Sequence, residues 1–214
     1  MNRGKFITIE GTEGVGKTTN IAFIREYLTQ RGIDHIVTRE PGGTPLSEEI
    51  RLLLLEKRDE DVSDTAELLL VFAARAQHLQ SLIQPALERG QWVVCDRFTD
   101  ATFAYQGGGR GIDSDKITQL ETLVQNDMRP DLTVILDIDI QQGLLRARQR
   151  GELDRFEGEA FIFFEKVRAV YLARALQWPE RYRVVNAGQS LDKVQTDIGT
   201  VLNEYFSSLG LPTV

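Results

Sequence analysis

The stretch Gly11-Thr12-Glu13-Gly14-Val15-Gly16-Lys17-Thr18 fits the pattern G-x-x-x-x-G-K-[ST], a glycine-rich turn that binds phosphate. Residues 6–9 before it are apolar or β-branched and predict a strand, and residues 19–27 after it predict a helix. Glycines allow a tight turn that points several backbone N–H groups at one anion, and the helix N-terminus adds its positive dipole end. In this motif Lys17 reaches the β- and γ-phosphates, and Thr18 offers its hydroxyl to Mg²⁺. The stretch therefore predicts a P-loop that binds a nucleoside triphosphate.

Five short segments rich in Ile, Val or aromatic residues predict strands, at residues 5–10, 34–38, 91–95, 132–138 and 182–186. Helical patterns lie between them, and the longest runs from residue 64 to residue 88. Strands that alternate with helices are typical of a parallel sheet covered on both faces. The sequence therefore predicts the three-layer α/β/α fold of P-loop NTPases with a five-stranded parallel sheet, in a single domain spanning residues 1–214.

Composition limits the partners of the chain. Its net charge of −7 argues against general binding to nucleic acid, although 19 of its 25 basic residues are arginine, the better residue for two-pronged binding of phosphate. The single Cys95 excludes an internal disulfide, and no apolar run approaches the length of a membrane span. We therefore expect a cytoplasmic protein that binds neither nucleic acid nor a membrane.

Ligands of parallel sheets collect at the carboxyl ends of the strands, which makes the residues after each strand candidates for chemistry. Asp96 follows the third predicted strand, where P-loop enzymes place a second contact to Mg²⁺. Arg97 beside it can hold a second phosphate, and Arg39 and Arg51, near the end of the second strand, suit a phosphate outside the triphosphate. A local ion pair at the strand end is the alternative for Asp96 and Arg97.

A second group of arginines lies near residues 146–158, where a polar segment bounded by glycines predicts a mobile lid. On a helix Arg146 and Arg150 share a face, whereas Arg148 points the opposite way. Arg155 can join them from the lid. Because phosphoryl transfer spreads negative charge over the moving group, an arginine brought in by a lid is a common solution. The alternative is a solvated basic helix end.

Two further patterns suit a flat base. Phe72 and Arg75 lie three apart on the long helix and can clamp a base by stacking and hydrogen bonding, although a core Phe and a surface Arg would look the same. Tyr105 and Gln106 offer another ring and an amide. The glycines of residues 107–111 that follow predict a flexible segment.

Taken together, the motifs resemble the bacterial thymidylate kinase family along essentially the whole chain. They are the P-loop, Thr38-Arg39-Glu40-Pro41-Gly42-Gly43-Thr44, Phe72-Ala73-Ala74-Arg75, Asp96-Arg97-Phe98, Tyr105-Gln106-Gly107-Gly108-Gly109-Arg110-Gly111, residues 129–133 and Arg150-Gly151-Glu152-Leu153-Asp154-Arg155. The resemblance implies transfer of the γ-phosphoryl group of ATP to dTMP, which gives dTDP, with Mg²⁺ and in a homodimer.

The resemblance also implies residue roles. ATP would bind to Gly11, Thr12, Glu13, Gly14, Val15, Gly16, Lys17, Thr18 and Thr19. The metal would contact Thr18 and Asp96, and the catalytic set would be Lys17, Asp96, Arg97, Arg146, Arg150 and Arg155. The dTMP phosphate would lie among Arg39, Arg51 and Arg97, which Glu40 would order, and Glu13 would accept the sugar 3′-hydroxyl. The base would stack on Phe72 and bond Arg75, Thr102 and Gln106, with Tyr105 against the 2′ position.

Three positions refine the resemblance. Val15 stands where another type of this family has an arginine, which agrees with a catalytic arginine from the lid. Val71 holds the place that the stacking Phe takes in many members, and Ala101 replaces a frequent serine. Two alternatives remain: a related small kinase with another nucleotide or deoxynucleoside acceptor, and a nucleotide-binding regulator. A regulator needs no second phosphate-binding cluster, which makes it the weaker alternative.

Overall fold

The computed structural model describes residues 3–149, 155–156 and 159–212. Its five-stranded sheet is parallel throughout, in the order β2-β3-β1-β4-β5. The strands are β1 Phe6–Glu10, β2 His35–Arg39, β3 Trp92–Asp96, β4 Leu132–Asp137 and β5 Tyr182–Asn186. Each lies within one residue of a segment predicted from the sequence, so the predicted sheet is confirmed.

The helices of the described residues are α1 Lys17–Gln30, α2 Pro45–Leu55, α3 Asp64–His78, α4 Gln84–Glu88, α5 Thr99–Thr102, α6 Ser114–Gln125, α7 Ile140–Arg148, α8 Phe161–Gln177 and α9 Leu191–Ser208. On one face of the sheet, Ile24 and Leu28 of α1 pack with Ile198 of α9. On the other face, Phe164 and Val167 of α8 pack under β4. Helices on both faces confirm the three-layer α/β/α architecture.

Residues 64–88, predicted to be helical, form one continuous helix with a π-helical turn inside it. A π-helical segment, Leu79–Ile83, joins α3 to α4, and Pro85 follows directly. Proline has no N–H to donate, and its ring crowds the preceding turn, so a π-helical turn accommodates it without ending the helix. The helix starts after Ser63, whose hydroxyl caps it by accepting a hydrogen bond from the Ala66 N–H.

Three of the glycines predicted to be flexible, Gly107, Gly108 and Gly109, are helical instead, whereas Gly111 lies beyond the helix with a φ of 77°. The three belong to a π-helical segment, Phe103–Gly109, in which Gly108 and Gly109 lie against α8 and Gly107 lies against Ile117 of α6. A Cβ on Gly109 would lie 2.3 Å from the Phe163 ring, and one on Gly108 would lie 2.6 Å from a Val170 methyl. These glycines therefore permit close helix packing, which local sequence does not reveal. Within the described ranges, no helix has the length and apolar character that a membrane span requires.

Candidate active site

A cavity opens at the carboxyl edge of the sheet, where β1 and β3 end. The sheet is built so that Ile9 of β1 pairs with Asp96 of β3, which brings the residues after both strands together. The cavity is lined by Glu13, Gly14, Gly16, Lys17, Thr18, Arg39, Glu40, Pro41, Arg51, Leu54, Leu55, Val71, Arg75, Asp96, Arg97, Phe98, Ala101, Thr102, Tyr105, Gln106 and Phe156. The P-loop, the arginines Arg39, Arg51 and Arg97, and the base candidates Arg75, Thr102, Tyr105 and Gln106 thus meet in one place.

The P-loop adopts the turn that its glycines predict. Gly14 has a φ of 74°, and a Cβ there would lie 1.9 Å from the carbonyl oxygen of Gly143 in α7. Lys17, the first residue of α1, donates from Nζ to the carbonyl oxygens of Gly11 at 3.3 Å and Thr12 at 3.1 Å. This geometry folds the lysine back over the loop, where its ammonium faces the cavity.

Four P-loop residues of the predicted ATP set lie outside the cavity lining described here: Gly11, Thr12, Val15 and Thr19. Val15 is buried in the core beneath the loop, so its side chain supports the turn. Thr19 is exposed on α1. Gly11 and Thr12 contribute the carbonyl groups that hold Lys17.

Glu13, Arg97 and Tyr105 form a tight group in the cavity wall. Arg97 donates from Nη2 to Glu13 Oε1 at 2.5 Å and to the Tyr105 hydroxyl at 2.7 Å, and that hydroxyl donates to Glu13 Oε1 at 2.9 Å. Burial alone would raise the pKa of Glu13, but the charges of Arg97 and then Lys17 outweigh it and lower that pKa to about 2. Glu13 is therefore a carboxylate at every working pH.

Arg39, Arg51 and Arg97 line the same part of the cavity. Arg39 forms an exposed ion pair with Glu48 at 2.7 Å, and Arg51 donates to the Pro41 carbonyl oxygen at 2.9 Å. Burial, and then the positive charges of Arg39 and Arg97, lower the pKa of Arg51. The three guanidinium groups are therefore close enough to repel one another, and an anion among them would relieve that repulsion.

Glu40 orders a different arginine from those the sequence analysis assigned to it. Its Oε2 accepts from Arg75 Nε at 2.7 Å, and its Oε1 lies 3.0 Å from His78 Nδ1. His78 Nε2 in turn lies 2.7 Å from the Thr38 hydroxyl. The carboxyl end of β2 reaches the buried face of α3, where Thr38 contacts His78 and Glu40 contacts both His78 and Arg75. The prediction that Glu40 orders Arg39, Arg51 and Arg97 is therefore corrected: in this structure Glu40 holds Arg75.

Phe72 does not line the cavity, and Val71 does. Val71 and Arg75 lie four residues apart and share the face of α3 that is turned to the cavity, whereas Phe72 is rotated toward α6. There its ring packs with Leu68, Phe103 and Ile117 in the core, and the Arg75 guanidinium lies 4.9 Å from its centroid. The expectation of a base stacked on Phe72 is therefore corrected, because helical phase places that ring behind the wall.

The lid arginines point elsewhere in this structure. Arg146 donates to the Ala187 carbonyl oxygen at 2.9 Å, after β5. Arg155 donates to Glu67 at 2.6 Å and to the Leu54 carbonyl oxygen at 2.9 Å, on α3 and α2. Neither lines the cavity. Arg150, and with it residues 151–154, lies outside the described residues.

Three polar atoms of the cavity-lining residues are buried and have no hydrogen-bond partner within the described part of the chain. They are Asp96 Oδ1, Arg97 Nε and Arg75 Nη1. Buried polar groups are almost always hydrogen-bonded, so one acceptor and two donors left over in one cavity indicate a polar ligand site.

Comparison with known proteins agrees with this geometry. The family model "Thymidylate kinase" matches residues 9–198. The chain is 63% identical over 202 residues to the curated thymidylate kinase of Teredinibacter turnerae, covering 94% of this chain and 98% of that one. It is 59% identical to the thymidylate kinase of Ectopseudomonas mendocina over 93% of this chain and 95% of that one. The chain belongs to the thymidylate kinase family.

A solved structure supports the same conclusion for the fold. The crystal structure of thymidylate kinase from Ehrlichia chaffeensis superimposes with a TM-score of 0.74 at 36% identity, covering 94% of this chain and 99% of that one. Membership of the thymidylate kinase family confirms the prediction of an enzyme that phosphorylates dTMP with ATP, and it removes the regulator as an alternative.

Two buried residues of this thymidylate kinase site escaped the sequence analysis. His78, fully buried, closes the chain of contacts from Thr38 to Glu40. Glu67, also fully buried, accepts from Gln106 and from two arginines. Charged or titratable residues on an otherwise apolar helix face are the only signal that could have found them, because neither belongs to a recognisable motif.

Proposed function

We propose that this cavity transfers the γ-phosphoryl group of ATP to the phosphate of dTMP, giving ADP and dTDP. The observation that carries the proposal is the meeting of a P-loop with a second arginine cluster, Arg39, Arg51 and Arg97, in one cavity. A hydrolase or a switch has one phosphate chain to bind, whereas a kinase of a phosphorylated acceptor has two. The P-loop takes the donor, and the arginine cluster takes the acceptor.

On the donor side, Lys17 and the N–H groups at the start of α1 bind the β- and γ-phosphates. Lys17 leaves its two carbonyl partners for the phosphates when ATP binds. Charge on the transferring group is neutralised by Lys17 and by Arg97, whose side chains both reach the Gly11 carbonyl oxygen. Arg146, Arg150 and Arg155 are proposed to add to this when the lid closes, which requires Arg155 to leave Glu67.

On the acceptor side, Glu13 is proposed to accept the sugar 3′-hydroxyl, and Tyr105 stands against the 2′ position. Arg75 is placed to donate from its unpartnered Nη1 to a carbonyl oxygen of the base, with Thr102 holding its Nη2 at 3.0 Å. The attacking phosphate oxygen is already anionic at neutral pH. No general base is therefore needed, and positioning with charge neutralisation suffices.

The residues present fit a magnesium ion bound with the nucleotide. The Thr18 hydroxyl and the unpartnered Asp96 Oδ1 line the same cavity, and Mg²⁺ is usually held by one or two oxygen ligands together with phosphates and waters. No cluster of three His, Cys, Asp or Glu side chains among the described residues could hold a metal alone. When bound, the ion would neutralise negative charge on the phosphates.

The proposal is tested by ADP formation from Mg·ATP with dTMP, dUMP, dCMP, dGMP or thymidine as the sole acceptor. We expect strong turnover with dTMP and at least about tenfold less with each of the others, because thymidine lacks the phosphate, dCMP and dGMP lack the thymine edge, and dUMP lacks only the 5-methyl group, a difference that is worth roughly tenfold or more in an apolar pocket. Preferred turnover of another acceptor would keep the kinase and overturn the thymine site. Slow hydrolysis independent of any acceptor would overturn the proposal.

We also propose a homodimer formed by the exposed faces of α2 and α3, which pack against each other. The outward positions of α3 are Leu69, Ala73 and Ala76, and Leu46 and Leu53 of α2 stand exposed beside them. A solvated helix face carries charged residues, whereas this one is apolar over several turns. A second copy of the same surface is the simplest cover for it.

A cytoplasmic location stays a prediction, as does a single domain.

Leu69→Glu is expected to convert the dimer to a monomer, because it places a charge at the centre of the apolar surface. Light scattering coupled to size exclusion should give twice the 24.2 kDa mass of one chain for the unchanged protein and that single mass for the variant. Leu176→Glu is the matched control, since Leu176 is 83% exposed but lies on α8. A monomeric unchanged protein would contradict the proposed dimer.

A further inference from the structure

Glu67 of α3 is a fully buried carboxylate with three partners. Its Oε1 accepts from Gln106 Nε2 at 2.8 Å and from Arg110 Nε at 3.3 Å. Its Oε2 accepts from Arg155 Nη2 at 2.6 Å and from Arg110 Nη2 at 3.3 Å. Glu67 is not part of the cavity lining, but Gln106 is. The carboxylate therefore acts on the cavity only through the amide that it holds.

The bond to Glu67 decides which end of the Gln106 amide faces the ligand. A carboxylate accepts hydrogen bonds and has none to give, so only the NH₂ end of the amide can point at it. Turning the amide over would set its carbonyl oxygen against two negative oxygens in a buried site, which is strongly unfavourable. Oε1 of Gln106 is therefore the atom left for the base, and it can only accept.

An acceptor at this place distinguishes two kinds of pyrimidine. The N3 position of thymine and uracil carries a hydrogen that can be donated, whereas N3 of cytosine is an acceptor and would meet Oε1 without a hydrogen. Arg75 sharpens the choice, because its unpartnered Nη1 offers a donor to the neighbouring 4-oxo group and would face an amino group in cytosine.

We propose that Glu67 is a positioning residue that fixes the amide orientation of Gln106 and so makes the site select an imide pyrimidine over an aminopyrimidine. The inference rests on the proposed function, since it concerns how the same cavity reads its acceptor. Arg110 and Arg155 balance the buried charge of Glu67. Arg155 also links the lid segment to Glu67, the carboxylate that orients Gln106.

The experiment measures binding of dTMP and of 5-methyl-dCMP by calorimetry without ATP. The two nucleotides differ only at N3 and at the 4-position, so the ratio of their dissociation constants reports the base edge alone. In Glu67→Gln, a side chain of the same shape can both donate and accept, and the Gln106 amide becomes free to turn. The preference for dTMP is expected to fall by about tenfold, the size of one net hydrogen bond.

Arg110→Met serves as the control for a merely structural role. It removes a partner of the same carboxylate and leaves the Glu67–Gln106 bond in place, so the preference for dTMP should stay unchanged even if the thermal unfolding temperature falls. An equal loss of preference in Arg110→Met and Glu67→Gln would mean that loosening of the cluster is responsible, and it would overturn the inference.

The remaining outcomes separate the inference from the proposed function. If the unchanged protein binds 5-methyl-dCMP as tightly as dTMP, the thymidylate site itself is wrong. If the unchanged protein prefers dTMP and Glu67→Gln keeps the full preference, only the role of Glu67 is wrong. Should Glu67→Gln fail to fold, Glu67→Asp, which draws the carboxylate away from Gln106 by one methylene, is expected to lower the preference in the same direction, and an unchanged ratio there would overturn the inference.

Discussion

Replacing Lys17 by methionine is expected to lower the turnover of dTMP at saturating Mg·ATP by a factor on the order of 10³, the usual size for loss of a charge-stabilising group in the transition state. Lys17 is the only basic residue in the P-loop stretch, residues 11–18. Arg146 and Arg155 are bound to other groups in this structure, so neither stands ready to substitute for it.

The measurement is steady-state ADP formation, with the thermal unfolding temperature as the check on folding. Burial, and then the charge of Arg97, lower the pKa of Lys17, so the folded protein holds this ammonium at a cost, and its removal should not lower the unfolding temperature. Lys5→Met is the control: Lys5 lies at the opposite end of β1, beside Asp131. A well-folded Lys17→Met variant with more than a tenth of normal turnover would contradict the proposed donor site.

Arg97→Met is expected to lower kcat/KM for dTMP by a factor on the order of 10³, through both a lower kcat and a higher KM. In the proposed site, the unpartnered Nε of Arg97 is available to the acceptor phosphate, and its Nη2 holds Glu13 and Tyr105. Its removal therefore weakens the binding of the acceptor, its orientation and the neutralisation of the transferring charge together. Kinetics with dTMP varied at saturating ATP measure these losses, and Arg129→Met, on an arginine paired with Glu121 outside the cavity, is the control.

The same variant should acquire a new pH dependence. With Arg97 present, the pKa of Glu13 is held near 2 against the effect of burial. Without that charge, burial raises the pKa of Glu13, and the carboxylate that accepts the sugar hydroxyl is lost as pH falls through the raised value. The residual kcat/KM of Arg97→Met should therefore drop on the acid side at a higher pH than in the unchanged protein. Parallel pH profiles would show that Arg97 does not control Glu13.

Local sequence was sufficient for the sheet and the P-loop. Strands such as Trp92–Asp96 are continuous apolar runs that end at a polar residue, and a parallel strand buried on both faces has no other pattern. Gly14 and Gly16 are required by positive φ values within the loop itself. These features depend on neighbours in sequence, so they could be predicted without the rest of the molecule.

The partners of long side chains could not be predicted in this way. Arginine reaches several ångströms from its backbone, and sequence alone does not indicate which carboxylate it meets. Glu40 was assigned to the phosphate-side arginines and instead binds Arg75. Arg155, whose role at the transferring phosphoryl group stays a proposal, binds Glu67 in this structure, 88 residues away in the chain.

The sequence by itself was enough to predict a kinase. The prediction came from the order of strand, P-loop and helix, and from the residues after each strand, which meet at one edge of the sheet. The tertiary structure alone decided how the acceptor pocket is built. The phase of α3 turned Val71 to the cavity and Phe72 into the core, and the packing of that helix against the Phe103–Gly109 segment placed Glu67 beside Gln106. Backbone conformation follows from neighbouring residues, whereas the orientation of a buried amide depends on a partner that only the folded chain supplies.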